Sequence, residues 1–234
     1  KFNGSISLLI TGDEEGDAVN GTKKVVEYLK RKKEKINFCL VGEPTNPNKL
    51  GEMIKIGRRG SINGKLKVIG ENCHVAYPHR GNNPSTSLVK ILNEIKNLKF
   101  DKGNKHFQPT NLEITKILID NNVDNIIPDI AEASFNIRFN NIHSSNSLKK
   151  KLNKIFNKIC KKNKSKYEIK YRVSGEAFLS KPDKTTFMIR NTIKKIVRIN
   201  PKLSTTGGTS DLRFIRKIAP CLEFGLVGKT MHKI

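Results

Sequence analysis

The stretch Leu8-Leu9-Ile10-Thr11-Gly12-Asp13-Glu14-Glu15-Gly16 runs an apolar segment into adjacent carboxylates bounded by glycines, an arrangement that suits a metal site at the edge of a sheet. In an extended strand neighbouring side chains point to opposite faces, so Glu14 and Glu15 converge on one site only if the chain turns there. Gly12 and Gly16 permit that turn. One carboxylate could then bind a metal ion while the other handles a proton. Taken alone, the stretch fits a solvated acidic turn equally well.

Outward from this stretch, residues 5–11 read as a buried strand and Thr22 as the cap of a helix running to about Lys33, with Val25, Val26 and Leu29 on one face. Residues 36–41 read as a second buried strand that leads into Gly42-Glu43-Pro44-Thr45. Another carboxylate thus stands at the C-terminal end of a strand, where open α/β sheets place ligand sites. Strand, helix and strand within such a short length predict a parallel α/β unit.

From Ser61 the pattern changes. Ile62, Leu66 and Val68 alternate with Asn63, Lys65 and Lys67, the signature of a strand with one wet face. Asn83-Pro84 opens a helix carrying Leu88, Ile91, Leu92 and Ile95 at helical spacing. Leu112 and Ile114 begin a strand, Ala131 to Phe139 alternates apolar and polar residues, 147–162 is an amphipathic helix, and Tyr167, Ile169, Tyr171 and Val173 mark a last strand. The order β-α-β-β-α-β over 61–174 is the ferredoxin-like pattern, expected as a separate domain inserted into the first. After Gly175 the α/β texture returns: a helix over 185–198, the small-residue loop Thr205-Thr206-Gly207-Gly208-Thr209-Ser210-Asp211, and an apolar strand over 221–227 leading to His232.

Lys+Arg 45 against Asp+Glu 21 gives a formal charge of +24, which ordinarily raises nucleic acid or a membrane surface as a partner. The lysines are spread along the chain, aromatics are few and Trp is absent. No basic-aromatic platform is present, so a nucleic-acid partner is disfavoured. The four cysteines, Cys39, Cys73, Cys160 and Cys221, lack CxxC spacing, which favours a reduced, cytoplasmic setting. No apolar run approaches the roughly 20 residues needed to span a bilayer, and no signal peptide is read. A chain opening at Lys1 without an initiator Met and ending at Ile234 is expected to be an internal fragment of a longer protein.

Two further constellations stand out. Gly57-Arg58-Arg59-Gly60 precedes the inserted domain, and arginines can clamp a carboxylate bidentately. Cys73-His74-Val75-Ala76-Tyr77-Pro78-His79 follows its first strand, with the two histidines in a Pro-containing loop that excludes a helical metal pair. As single residues, each of these could be a surface charge or a hydrogen-bonded loop histidine.

Together, TGDEEG (11–16), GEPT (42–45), GRRGSINGKL (57–66), HVAYPH (74–79), NIIP (125–128), FNIRF (135–139), GGTSD (207–211) and TMHK (230–233) occur in the order in which the dinuclear-zinc aminoacylases and carboxypeptidases carry such segments, and the chain resembles that family over nearly its whole length. The resemblance implies an α/β zinc-peptidase-like catalytic domain (1–60 and 175–234) with an inserted α+β dimerisation, or lid, domain (61–174). Glu14 is then the general base, Glu15 and His232 ligands of one zinc, and Glu43 a ligand of the other. The implied cofactors are two zinc ions per subunit, with cobalt able to substitute. Such a pair polarises an amide carbonyl and lowers the pKa of water. His74 is implied to reach from one subunit of a homodimer into the active site of its partner and donate to the developing oxyanion. Arg58, Asn125, Arg138, Gly208 and Thr209 are implied to line the pocket of a small substrate with several carboxylates.

The implied activity is hydrolysis of an N-succinyl amide on a diamino dicarboxylic acid, serving lysine and cell-wall precursor synthesis in the cytoplasm, with no membrane partner. A related deacylase acting on N-acetylornithine is the alternative within the class, and a non-catalytic basic binding protein the alternative outside it. The family's His-x-Asp and bridging Asp lie upstream of the acidic stretch and have no counterpart here, so this fragment alone is expected to be inactive. Asp124, Leu212 and Gly228 also depart from the common pattern, which bears on substrate contacts.

Overall fold

The computed structural model describes residues 3–16 and 18–231. Along the chain, α1 (Thr22–Arg31), β1 (Cys39–Val41), β2 (Met53–Lys55) and β3 (Gly57–Arg58) are followed by β4 (Gly60–Ile69), β5 (Cys73–His74), α2 (Pro84–Lys96) and β6 (Asn111–Leu118). Then come β7 (Ile126–Ile127), β8 (Ile130–Phe139), α3 (Ser145–Lys162), β9 (Lys166–Gly175), β10 (Phe178–Leu179), α4 (Lys184–Val197), β11 (Lys202–Ser204), α5 (Leu212–Ile215) and β12 (Cys221–Glu223). The chain divides into two compact units, one running up to Arg58 and again from Leu179, the other Arg59–Phe178. The sequence suggests divisions after 60 and 174 instead.

In the unit Arg59–Phe178, four strands form one sheet in the order β6-β8-β4-β9, and every neighbouring pair is antiparallel. With α2 and α3 interposed this is the ferredoxin-like arrangement. Strict alternation on β8 sends Ala131, Ala133, Phe135, Ile137 and Phe139 inward, where they share one core with Leu88, Ile91 and Ile95 of α2 and Leu148, Leu152 and Phe156 of α3. Both helices therefore cover the same face. Each begins at a side-chain cap. Asn83 accepts from the Ser85 N–H at 2.9 Å ahead of Pro84, and Ser144 forms a reciprocal capping box with Ser147, which starts α3 earlier than its apolar spacing suggests. A separate short pairing joins β5 to β7.

The other unit holds a four-stranded sheet, order β1-β12-β2-β11. β1 runs parallel to β12 and β11 to β2, but β12 and β2 are antiparallel. The sheet is therefore mixed rather than wholly parallel. Its core gathers Ile54, Ile56, Ile193 and Leu222, with Phe38, Val197 and Leu203 packed against them.

Several expected elements differ. Residues 5–11 form no strand, and Ile6, Leu8 and Ile10 are 84%, 86% and 84% exposed. An apolar run is buried only where neighbours pair its edges and cover its faces, and no strand among the described residues lies beside this one. β1 is likewise shorter and wetter than expected, pairing among the described residues with β12 alone and leaving Leu40 52% exposed. Thr22 opens α1, but Gly21 is the N-cap, and the buried Thr22 hydroxyl instead bonds the Thr11 hydroxyl at 3.1 Å. The apolar strand read over 221–227 stops at Glu223.

Gly64 lies directly across from Phe135 in the β4–β8 register, and a Cβ at Gly64 would stand 2.2 Å from the Phe135 ring. The ring occupies the space a side chain would need. Gly64→Val is expected to destabilise this unit by about 1–3 kcal/mol through overpacking, read as a lower denaturant midpoint with unchanged slope.

Candidate active site

In the unit that ends at Arg58 and resumes at Leu179, the acidic turn is built by Asp13. Its carboxylate accepts from the N–H groups of Asn20 at 2.7 Å and Gly21 at 3.2 Å, folding the chain back onto the start of α1. These backbone donors hold Asp13 below its ordinary carboxylate pKa. Glu14 is left half-buried and Glu15 exposed. Burial pushes the Glu14 pKa up, reinforced by the negative charges of Glu15 and Asp211 and opposed by Arg213 and Arg58.

Glu43 follows β1 in a loop held by two buried polar residues. The Asn46 amide donates to the Gly225 carbonyl at 2.6 Å and its oxygen accepts from the Met53 N–H at 2.8 Å. Thr45 donates to the Met53 carbonyl at 3.1 Å. The Phe224 N–H donates to the Val41 carbonyl at 3.0 Å. Glu43 itself is half-buried, and its pKa is pushed up to about 7 by burial, then by the charges of Glu223 and Glu14. Sequence reasoning missed Asn46, whose only signal is a small polar residue between prolines (Pro44 and Pro47).

Arg58, expected to line the substrate pocket, is 7% exposed, and its guanidinium is paired with the carboxylate of Glu223, which is fully buried. The Ser210 hydroxyl donates to the other oxygen of the same carboxylate. Gly207 adopts φ 104°, and a Cβ there would approach the Arg58 Nη1 to 2.7 Å, so this position needs glycine on both counts. Gly208 is exposed and Thr209 half-buried on the same loop. Lys55 is buried beside them and donates to the Thr206 hydroxyl at 2.6 Å. Burial, and then the Arg58 charge, push its pKa down to about 8.

Glu14, Glu43, Arg58 and the 205–211 loop thus belong to one neighbourhood. Repelling, partly desolvated carboxylates are the donor chemistry that a cation relieves, so Glu14 and Glu43 fit the edge of a metal site. Among the described residues, no three His, Cys, Asp or Glu side chains converge closely enough to hold an ion. His232 lies outside the described residues.

In the unit Arg59–Phe178, His74 pairs with Ile126, and the Val75 N–H donates to the Asn125 carbonyl at 2.9 Å. His74 and Asn125, two separately expected site residues, therefore share one hairpin, both exposed. His74 Nδ1 accepts from the Ala76 N–H at 3.1 Å, which leaves Nε2 as the proton-bearing nitrogen of the neutral ring. Arg138, on β8, lies across from Ser61 and Asn111. Burial lowers its pKa, and lowers that of Arg59 together with the Arg138 charge. Arg59 donates to the Asn111 side chain at 3.0 Å.

Residues 56–164 match the family described as the peptidase dimerisation domain. The chain is 76% identical over 234 residues to the succinyl-diaminopimelate desuccinylase of Pelagibacter ubique (strain HTCC1062), a match covering 100% of this chain and 61% of that protein. It is 50% identical over 232 residues to the enzyme of the same name from Parvibaculum lavamentivorans, covering 99% and 59%. The chain thus spans about three fifths of the length of these curated relatives. Among solved structures, a Staphylococcus aureus tripeptidase superposes with TM-score 0.72 at 18% identity, covering 88% of this chain and 53% of that one. A Bacillus subtilis protein described as a dinuclear metal binding peptidase from the M20 family gives 0.62 at 15%, covering 93% and 55%. At such identities these two likenesses show the fold alone.

The Lys55 environment makes a pH prediction. Its folded pKa, about 8, lies below the ordinary 10.5, so between those values the unfolded chain binds the extra proton and stability rises with pH, by at most about 1.4 kcal/mol per unit. Chemical denaturation from pH 8 to 10.5 is expected to show that rise, and Lys55→Met to flatten it.

Proposed function

We propose that the chain belongs to the succinyl-diaminopimelate desuccinylase family and that the full-length protein, completed to the length of those relatives, is a cytoplasmic hydrolase. It cleaves N-succinyl-L,L-2,6-diaminopimelate to succinate and L,L-2,6-diaminopimelate, in lysine and diaminopimelate synthesis. The observation that carries the reading is the placing of Glu14 and Glu43, both half-buried and both raised in pKa, in the neighbourhood of the 205–211 loop. A site that holds carboxylates partly out of water suits a cation and a proton transfer.

Glu15, Glu43 and His232, with ligands upstream of this chain, would hold two zinc ions. When bound, these supply polarisation of the amide carbonyl and a lower pKa for the attacking water. Glu14 takes the proton from that water and delivers it to the leaving amine, and its raised pKa suits both transfers. His74, with Nε2–H as its free donor, stabilises the oxyanion that develops on the carbonyl. Two of these molecules form a homodimer, and His74 serves the partner's site; support comes from the dimerisation-domain match over 56–164. Gly208 and Thr209 in one unit, and Asn125 and Arg138 in the other, are each assigned to recognition of the substrate's carboxylates.

The test offers N-succinyl-L,L-diaminopimelate and N-acetylornithine side by side to the full-length, zinc-loaded protein. Succinate release is expected. Hydrolysis of acetylornithine alone would keep the chemistry and overturn the substrate, while inertness toward both would favour a non-catalytic basic protein. Glu14→Gln is expected to lower kcat about a thousandfold with metal content intact. For His74→Ala the expected loss is about a hundredfold, again with metal retained; loss of metal instead would make His74 a ligand.

A further inference from the structure

The loop between β11 and α5 is anchored at both ends to charged groups buried in the sheet. Near its start, the Thr206 hydroxyl accepts from the Lys55 ammonium at 2.6 Å. Near its end, the Ser210 hydroxyl donates to Glu223. Between the anchors lie Gly208 and Thr209, while Gly207 packs its backbone onto the Arg58 guanidinium. Glu223 has 0% exposure at the end of β12. Its two oxygens are divided between two elements, one accepting from Arg58 on β3 and the other from Ser210 on the loop. The Arg58 Nε is buried without a hydrogen-bond partner, so the position of the guanidinium depends on what Glu223 accepts from it.

We propose that Glu223 is a positioning residue for the acyl pocket: its single carboxylate fixes Arg58 and the 205–211 loop to one strand end, setting where Gly208 and Thr209 meet an anionic acyl group. This rests on the amide-hydrolase reading above. Stability alone does not account for the charge. Desolvation largely offsets the attraction within a buried ion pair, and an apolar pair of similar volume often serves as well. A carboxylate does what an apolar side chain cannot, taking one donor from a strand and another from a loop at a fixed separation.

The experiment uses the full-length, zinc-loaded protein with Glu223→Gln, Ser210→Ala and the double variant. KM for N-succinyl-L,L-diaminopimelate and the dissociation constant of succinate, by calorimetry, are both expected to rise about tenfold in each single variant. kcat should change less than about threefold and metal content not at all. The double variant should fall short of the product of the singles, because both act through one loop. A lower melting temperature with KM and succinate binding unchanged would overturn the proposal. If Glu223→Gln does not fold, Ser210→Ala decides by the same readouts, because it keeps the ion pair and removes the tether alone. A wild type that releases no succinate overturns the reaction and this role together, whereas an active wild type with unchanged variants overturns this role alone.

Discussion

A carboxylate withdrawn completely from water must find its counter-charge inside the protein, at a cost of several kcal/mol if it does not. Glu223 is in that position, and much of its unit is arranged around it. Arg58 comes to it from β3 and Ser210 from the loop after β11. β12 lies between β1 and β2 in the sheet, and just beyond Glu223 the backbone takes over the same task. Phe224 bonds Val41, and the Gly225 carbonyl receives the Asn46 amide. The Glu43 loop, the guanidinium and the 205–211 loop are thereby referred to a single strand end. That common reference is how three-residue strands can hold separate chain segments in one site.

The local charge runs against the global one. The chain carries 45 basic and 21 acidic side chains, yet Glu14, Glu43, Asp211 and Glu223 influence one another around Arg58. In a chain so rich in lysine, neutralising partners would be easy to supply. Glu43 instead stays high, at about 7, because burial and three like charges outweigh Arg58. The cations that do lie there, Arg58 and Arg213, leave Glu14 and Glu43 above their ordinary values. The surplus basic groups elsewhere give the chain a net positive field that favours anions over longer range.

Features with a strong local cause were legible in the sequence. Asn83-Pro84 announced α2, and alternation along residues 131–139 announced β8, because capping chemistry and a half-buried sheet face each write a short-range pattern. His74 and Asn125 share a hairpin, a proximity that nothing in their sequence spacing announced. Features that depend on distant partners were not legible. Residues 5–11 have the composition of a buried strand, but burial belongs to the neighbours, and among the described residues none pairs with them. Arg58 carries no mark distinguishing a pocket arginine from one committed to a buried carboxylate. Glu223 sat unnoticed at the end of an apolar strand, since nothing within a few residues reveals that its charge is met by residues 165 and 13 positions away.

The two units also differ in how they hold their functional side chains. In Arg59–Phe178, a continuous antiparallel sheet and two helices share one core, and His74 projects from a hairpin outside that core, its tautomer set by one backbone N–H. The short hairpin fixes the direction of that ring, and the Ala76 N–H leaves its other nitrogen as the donor. In the other unit the small core around Ile54, Ile56, Ile193 and Leu222 is supplemented by buried polar bonds through Asn46, Thr45, Lys55 and Glu223. Apolar packing resists separation but tolerates sliding, whereas a hydrogen bond weakens steeply with misalignment. Buried directional bonds therefore fix the relative placement of the Glu43 loop, Arg58 and the 205–211 loop, which so small an apolar core alone would leave free to shift.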